Sequence, residues 1–332
     1  MATARAYVDK DDLRRLSRRS DAMGAWLVAH AWGVILLAVV LFGVWPNPFT
    51  FVLAVMLIGS RQLGLAILMH EAAHGALFAS HRLNERVGQW LCAAPILADM
   101  RAYRRYHLTH HRHTQTERDP DLPLSAPFPT TRASLIRKFL RDLTGQTGVK
   151  LLFFRIVRAF QLAGDMDAIS EAETSARKQN LAETNDWRAF AGGLAVAACA
   201  TILLGALGYW WHGHWWWGFA FWWLPLLTWF QLVVRVRNIA EHGGTEQSED
   251  AMRNVRTTLA GPLMRTFVAP YWVNYHLEHH VAMYVPCWRL PELHTLLLRD
   301  HGERMRVAHS YADVMRKVGW WPAGAERDAV RA

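Results

Sequence analysis

The chain has 332 residues, of which 52% are hydrophobic and 20% charged, and its formal net charge is +9. Its three cysteines, Cys92, Cys199 and Cys287, are far apart in the sequence and have no C-x-x-C spacing. This pattern suggests no disulfide framework and excludes a fused iron–sulfur centre, which needs clustered thiolates. We interpret the positive charge as membrane topology and attraction to anionic lipid, and we expect no nucleic-acid partner.

Four apolar segments are each long enough to cross a lipid bilayer. They cover residues 22–45, 49–70, 189–211 and 215–234, and a spanning helix needs about 20 apolar residues. Short turns at 46–48 and 212–214 join them in pairs. The sequence therefore predicts an all-α membrane protein with four transmembrane helices in two hairpins.

The distribution of Lys and Arg predicts how these helices are oriented. Neither turn contains Lys or Arg, whereas residues 1–21 contain six and the two long polar regions hold most of the others. Because positive residues stay on the cytoplasmic side, we expect both termini and both polar regions there, in a bacterial inner membrane. One domain is predicted over 1–332: a tail (1–21), hairpins (22–70 and 189–236), and cytoplasmic regions (71–188 and 237–332) that form a helical cap.

Eight of the seventeen histidines fall into three clusters with intervals of three or four residues, which place side chains on one face of a helix. The clusters are His70 with His74, His107 with His110 and His111, and His276 with His279 and His280. Eight imidazoles at one membrane face would repel one another if protonated, and burying them unpaired would cost free energy. Bound cations remove both costs, so we predict two metal ions in the cap.

A less obvious pair follows the fourth apolar segment. Asn238 and His242 are four residues apart, and the predicted topology brings them level with His70 and His74. We predict His242 as a ninth ligand and Asn238 as a weak or water-mediated one. Carboxylates usually orient metal-bound imidazoles, and the candidates near the ligands in sequence are Glu71, Asp119, Asp121, Glu241 and Glu278. Other histidines, including His30, His113 and His294, are expected to be structural or exposed.

The predicted ligands, which are histidine nitrogens, limit which metals the site would bind. Sites built only from many histidines suit iron or copper in oxygen chemistry, whereas structural zinc prefers four ligands, usually with thiolates. The string H-E-A-A-H at 70–74 also fits the H-E-x-x-H pattern of zinc proteases. That interpretation leaves six clustered histidines without a role. A zinc-dependent lipid hydrolase is therefore the weaker interpretation. It remains as an alternative, together with a metal transporter or sensor.

Four motifs together resemble the membrane fatty acid desaturase/hydroxylase superfamily. They are H-E-A-A-H-G at 70–75, H-L-T-H-H at 107–111, N-I-A-E-H-G at 238–243 and H-L-E-H-H at 276–280. The resemblance implies a non-haem diiron centre (Fe²⁺/Fe³⁺) on these histidines, with O₂ as co-substrate, that oxidises unactivated C–H bonds of a lipid. Fatty-acyl desaturation is the leading prediction. Lipid or carotenoid hydroxylation and oxidative decarboxylation to a terminal alkene stay open.

Two further expectations concern partners and substrate. The chain has no H-P-G-G haem motif, so the resemblance implies a separate electron donor of ferredoxin, rubredoxin or cytochrome type, with its reductase. Arg61 lies nine residues before His70, which is about 13 Å deeper along a helix. Intramembrane charges are costly and often functional, so Arg61 is a candidate for binding a substrate carboxylate, although a structural role is the default expectation.

Overall fold

The structure, a computed structural model, describes residues 4–159 and 187–320, and these residues are mostly helical. The N-terminal helices are α1 Lys10–Leu16, α2 Asp21–Val44, α3 Pro48–Ala73, α4 His81–Val87, α5 Met100–His113, α6 Leu122–Ser125, α7 Arg132–Leu143 and α8 Gln146–Ala159. The later helices are α9 Trp187–His212, α10 Trp217–Leu227, α11 Trp229–His242, α12 Ala251–Asn254, α13 Pro262–Phe267, α14 His276–Val281, α15 Leu290–His301 and α16 Tyr311–Gly319.

Short irregular elements complete the fold. A π-helical turn (Gly88–Ala93) follows α4, and 3₁₀ turns cover Ala4–Ala6, Ala94–Ile96, Pro270–Trp272, Cys287–Arg289 and Gly302–Arg304. Two short strands, β1 Thr257–Thr258 and β2 Val307–Ala308, pair in parallel. The polar segment 160–186 of the predicted cytoplasmic region lies outside the described residues.

Four helical stretches are long and apolar enough to cross a membrane, as predicted. They are Asp21–Val44, Pro48–Ala73, Arg188–His212 and Trp217–His242. The last comprises α10 and α11, which are separated by a break at Thr228 just after Pro225. Pro225 lies within α10 itself, where it lacks the backbone N–H that would bond to the carbonyl of Phe221. Large apolar side chains on these helices face outward, including Trp210 (84% exposed) and Phe49 (75% exposed).

Local sequence signals fix the short turn between α2 and α3. Asn47 and Thr50 form a reciprocal capping box, and Pro48 occupies the first helical position, where its missing N–H costs nothing. Helix α3 then packs against α2, α5, α10 and α11. Its residues from Ile58 to Ala73 are almost all buried, so α3 is the central helix and carries His70 into the interior.

Helices α9 and α10 approach each other closely at Gly218. A Cβ atom added there would lie 2.1 Å from the carbonyl oxygen of Thr201 and 2.9 Å from the backbone nitrogen of Gly205. Small residues allow membrane helices to pack with their backbones in near contact. Glycine is therefore required at this crossing.

We expect Gly218→Ala to separate α9 from α10 and to destabilise the protein by about 1–3 kcal/mol, the usual cost of overpacking. The measurement is the midpoint of thermal unfolding in detergent. Gly33→Ala is the matched control, because a Cβ at Gly33 would meet no atom within 4 Å. Equal midpoints for the two variants would contradict the close approach.

Candidate metal centre

Nine buried histidines meet in two adjacent groups, and they are the same nine that the sequence analysis selected. The five-histidine group consists of His70, His74, His107, His111 and His279. The four-histidine group consists of His110, His242, His276 and His280. Within each group, one ring nitrogen from every histidine lies within 4.8 Å of the others. Each group could hold one metal ion.

The two histidine triplets are divided between the groups in the same way. On α5, His107 and His111 belong to the five-histidine group, whereas His110 belongs to the four-histidine group. On α14 the i,i+4 pair lies in the four-histidine group and the intervening His279 in the five-histidine group. Each of these helices therefore runs between the two groups and supplies both.

The remaining ligand candidates come from the ends of the central helices. His70 is in the last turn of α3 and His74 caps that helix. His242 is the last residue of α11. The ends of α3 and α11 thus hold the two groups at one end of the helical bundle.

Facing nitrogens show that both groups converge on common points. The Nε2 atom of His111 lies 2.9 Å from Nε2 of His107 and 3.0 Å from Nε2 of His279. In the other group, Nε2 of His276 lies 2.8 Å from Nε2 of His242 and 3.1 Å from Nε2 of His280. Two nitrogens that bind one metal ion at about 2.1 Å and at a right angle to each other would lie about 3.0 Å apart. The observed separations therefore fit nitrogens that share a metal ion.

Hydrogen bonds between the rings cannot satisfy all of these nitrogens, whereas a bound metal cation can accept a lone pair from each of them. A neutral ring nitrogen either donates one hydrogen or accepts with one lone pair, yet Nε2 of His111 and of His276 each faces two neighbours. Neither ring nitrogen of buried His74 has a hydrogen-bond partner among the described residues. Unpartnered buried polar atoms are costly, so this donor set fits bound metal.

Burial keeps most of these imidazoles neutral, which is the form that binds metal. Removal from water, reinforced by neighbouring imidazoles, lowers the pKa of His107, His111, His276, His279 and His280 well below the usual histidine value. Removal from water, with the nearby Arg104 charge, lowers the pKa of His74 to about 3. These rings therefore present lone pairs and not positive charges.

Comparison with known proteins agrees with this site. The profile of the family described as "Fatty acid desaturase" matches residues 44–311. The chain belongs to the fatty acid desaturase family. It is therefore an oxidoreductase of the desaturase type, and the match includes all nine clustered histidines.

Two characterised relatives are similar over most of the chain. A dihydrorhizobitoxine desaturase from Bradyrhizobium elkanii is 27% identical over 311 residues, covering 90% of this chain and 82% of the relative. A beta-carotene ketolase from Paracoccus sp. (strain PC1) is 25% identical over 286 residues, covering 85% of this chain and 92% of the relative. The two relatives are thus named for different reactions, one as a desaturase and the other as a ketolase.

Among the predicted orienting carboxylates of this family member, Asp119 contacts a clustered histidine most closely. Its Oδ1 lies 2.8 Å from Nδ1 of His110, and Oδ2 accepts a hydrogen bond from the backbone N–H of Gln115 at 2.7 Å. Burial opposes protonation of His110, but the hydrogen bond to Asp119 and the charge of Asp121 outweigh it and raise the pKa of His110. This arrangement directs the His110 Nε2 atom toward the other members of the four-histidine group.

The other predicted polar residues occupy different positions. Glu71 accepts a hydrogen bond from the backbone of Cys287 at 2.8 Å and lies 3.4 Å from His70 Nδ1. Glu241 pairs with Arg237 at 2.8 Å and lies 3.6 Å from His276 Nε2. Asn238 is half-buried on α11, one turn before His242. Arg61 lies outside both groups.

Glu278 contacts His294 instead of a histidine of either group. The Nδ1 atom of His294 lies 2.5 Å from Glu278, and Thr257 donates its hydroxyl to the same carboxylate. Neither His294 nor Thr257 was a predicted site residue, because their spacing in the sequence carries no ligand pattern. Their contacts anchor α14, so they act on the position of its histidines.

Sequence reasoning also missed an aromatic neighbour of the site. The Tyr103 ring is stacked on His107, with ring centroids 5.0 Å apart and planes 13° from parallel. Tyr103 precedes His107 by one helical turn on α5. That i,i+4 spacing is a signal that could have placed it beside the clustered histidines.

Proposed function

We propose that this family member is an O₂-dependent fatty-acyl desaturase that uses two iron ions, one in each histidine group. The observation that carries the proposal is the convergence of nine buried imidazoles as a group of five and a group of four. When bound, the irons would supply activation of O₂ and removal of hydrogen from an unactivated carbon. The protein supplies the neutral nitrogen donors, their orientation and a site closed to bulk water.

The proposed membrane arrangement follows from the apolar helices. We infer that α2 with α3, and α9 with α10 and α11, form two transmembrane hairpins whose short turns face away from the cytoplasm. The turns lack Lys and Arg, which supports this orientation. The histidine groups then lie in a cytoplasmic helical cap at the inner membrane of a bacterium, with both termini on the same side.

Ring oxidation of a carotenoid is the second candidate, because one relative is a beta-carotene ketolase. Hydroxylation would transfer oxygen to the carbon instead of removing a second hydrogen, and oxidative decarboxylation would also release the carboxyl carbon as CO₂; the position of the substrate decides among these outcomes. A zinc hydrolase is less well supported. Catalytic zinc usually has three protein ligands, whereas His70 and His74 share their group with three further histidines.

Mass spectrometry of lipid extracts tests the proposal. Cells that express the chain with a competent reductase should accumulate lipids with internal double bonds, and only when O₂ is present. Oxidised carotenoid would support the second candidate instead. Activity that persists without O₂, or that requires zinc, would overturn both oxidase proposals.

We propose that a separate, acidic redox protein delivers the electrons to the outer face of α5. Arg101, Arg105 and Arg112 are exposed on that face, and His107, His110 and His111 are on its buried side. If a donor of ferredoxin, rubredoxin or cytochrome type docked there, only helix α5 would separate it from the two histidine groups. Electrostatic complementarity mainly accelerates association between such partners.

Charge reversal of Arg101 and Arg112 to Glu should raise the KM for an acidic donor by about tenfold, since complementary charges accelerate encounter by one to three orders of magnitude at low salt. The measurement is turnover against donor concentration at two salt concentrations. Arg316→Glu, at an exposed position on α16, is the control. An unchanged KM in the double variant would place the docking face elsewhere.

A further inference from the structure

A tyrosine ring lies directly against the five-histidine group. Tyr103 on α5 is stacked on His107, with ring centroids 5.0 Å apart, and its centroid lies 6.2 Å from that of His70. Within residues 4–159 and 187–320, no other tyrosine or tryptophan ring contacts a histidine of either group. Tyr103 is therefore the readily oxidised aromatic side chain that lies nearest to this group.

A second tyrosine continues from the first along α5. Tyr106 follows Tyr103 by three residues, a spacing that makes two side chains neighbours on a helix. Their ring centroids are 6.3 Å apart, and an electron passes readily between aromatic rings at this separation. Tyr106 is half-buried, so the pair of rings leads from the buried histidines toward the surface of the protein.

The hydroxyl of the outer tyrosine has a proton acceptor. Tyr106 donates its hydroxyl hydrogen to Oδ1 of Asp121. A phenol that loses an electron also releases its proton, and an ionised carboxylate is an acceptor that can take it. The side chain of Asp121 is 19% exposed, so this acceptor lies within reach of solvent.

The chemistry of the proposed reaction makes such a pair useful. An oxidant that removes hydrogen from an unactivated carbon can also oxidise a phenol, because a phenolic O–H bond is weaker than that C–H bond. When no substrate is bound, the groups nearest to the oxidant are the clustered imidazoles themselves. A pair of tyrosines that ends at a proton acceptor gives the oxidant another source of electrons, and so prevents a damaging side reaction.

We propose that Tyr103 and Tyr106 protect the histidines by supplying electrons to the oxidised metal site when no substrate is bound. This inference rests on the proposed function, in which O₂ is the oxidant. Tyr103 gives one electron to the oxidised site and takes one from Tyr106. Tyr106 transfers its hydroxyl proton to Asp121, which leaves a neutral tyrosine radical and a carboxylic acid. One electron from a one-electron reductant at the surface, such as the donor protein, and the return of the proton restore both residues.

Electron paramagnetic resonance tests the pair. Iron-loaded, reduced protein in detergent is mixed with O₂ without added fatty acid and is then frozen. The unaltered chain should show a neutral tyrosine radical, and its hyperfine splitting should change when the protein contains ring-deuterated tyrosine. Tyr103→Phe and Tyr106→Phe keep the rings but remove the oxidisable hydroxyls, so each variant should lose the signal because each interrupts the route to Asp121.

Peptide mass spectrometry provides a second measurement. After repeated cycles of reduction and exposure to O₂, peptides that contain the clustered histidines should carry more added oxygen in both variants than in the unaltered chain. Tyr275→Phe is the matched control. Tyr275 also contacts a histidine, with its ring centroid 5.1 Å from that of His294, but His294 belongs to neither group. This variant should keep the radical signal and intact histidines.

Two results would overturn this inference and leave the proposed function intact. One is oxidation of the bound iron by O₂ in the unaltered chain without any tyrosine radical. The other is a radical that persists in Tyr106→Phe, or in the variant that carries both substitutions, with the iron content unchanged. Reduced, iron-loaded protein that does not consume O₂ would instead refute the proposed function, and this inference would fall with it.

Discussion

His279→Ala and His110→Ala should each abolish turnover while the protein still inserts into the membrane. His279 is a member of the five-histidine group and His110 of the four-histidine group, so each variant removes a nitrogen donor from a different one of the two proposed metal sites. Losing a partner one layer outside a metal's ligands already costs 10–100-fold, so we expect a fall in rate of at least about 100-fold. The measurements are product formation and iron bound per chain.

His113→Ala is the control for both variants. His113 is the last residue of α5, is half-buried and belongs to neither group, so its removal tests the effect of losing a histidine outside the groups, on the same helix as His110. We expect nearly full activity and unchanged iron. Full activity in His279→Ala or His110→Ala would contradict the ligand assignment directly.

Asp119→Asn should lower activity by about 10–100-fold, the range found when a carboxylate that orients a metal-bound histidine is lost. Asp119 is 1% exposed, and its Oδ1 contacts His110 Nδ1 at 2.8 Å and accepts the backbone N–H of Asp121 at 2.8 Å. Asparagine keeps the shape of the side chain but removes its charge, so the His110 ring loses its preferred orientation and basicity. Turnover and iron affinity are measured together.

Glu117→Gln provides the comparison, because Glu117 is an exposed carboxylate two residues from Asp119. It should behave like the unaltered chain. If Asp119→Asn kept both its rate and its iron, the hydrogen bond to His110 would be structural only. A variant that lost activity but kept iron would show that Asp119 acts on ring orientation more than on metal affinity.

The sequence allowed the bundle and the nine histidines to be predicted because both depend on local patterns. Runs of apolar residues mark the spanning helices, and intervals of three and four residues put His107, His110 and His111 on one helix face. Capping residues such as Asn47 also act locally, which is why the turn before α3 falls where the sequence suggests.

The division of each triplet between the two histidine groups could not be predicted, because it depends on how α5 and α14 cross the ends of α3 and α11. The contact between Glu278 and His294 could not be predicted either, because it requires α14 to pack against α15. The meeting of Arg61 with Tyr271, 210 positions later in the chain, depends on the turn before α14, where Tyr271 adopts a left-handed conformation. The spacing of residues along one helix does not show which side chains of other elements they contact.

The amount of iron in the purified, active protein tests the central claim most directly. We expect two iron ions per chain, with iron lost from both His279→Ala and His276→Ala, since these residues belong to different groups. A single zinc ion in a fully active protein, or full activity without any bound metal, would contradict it.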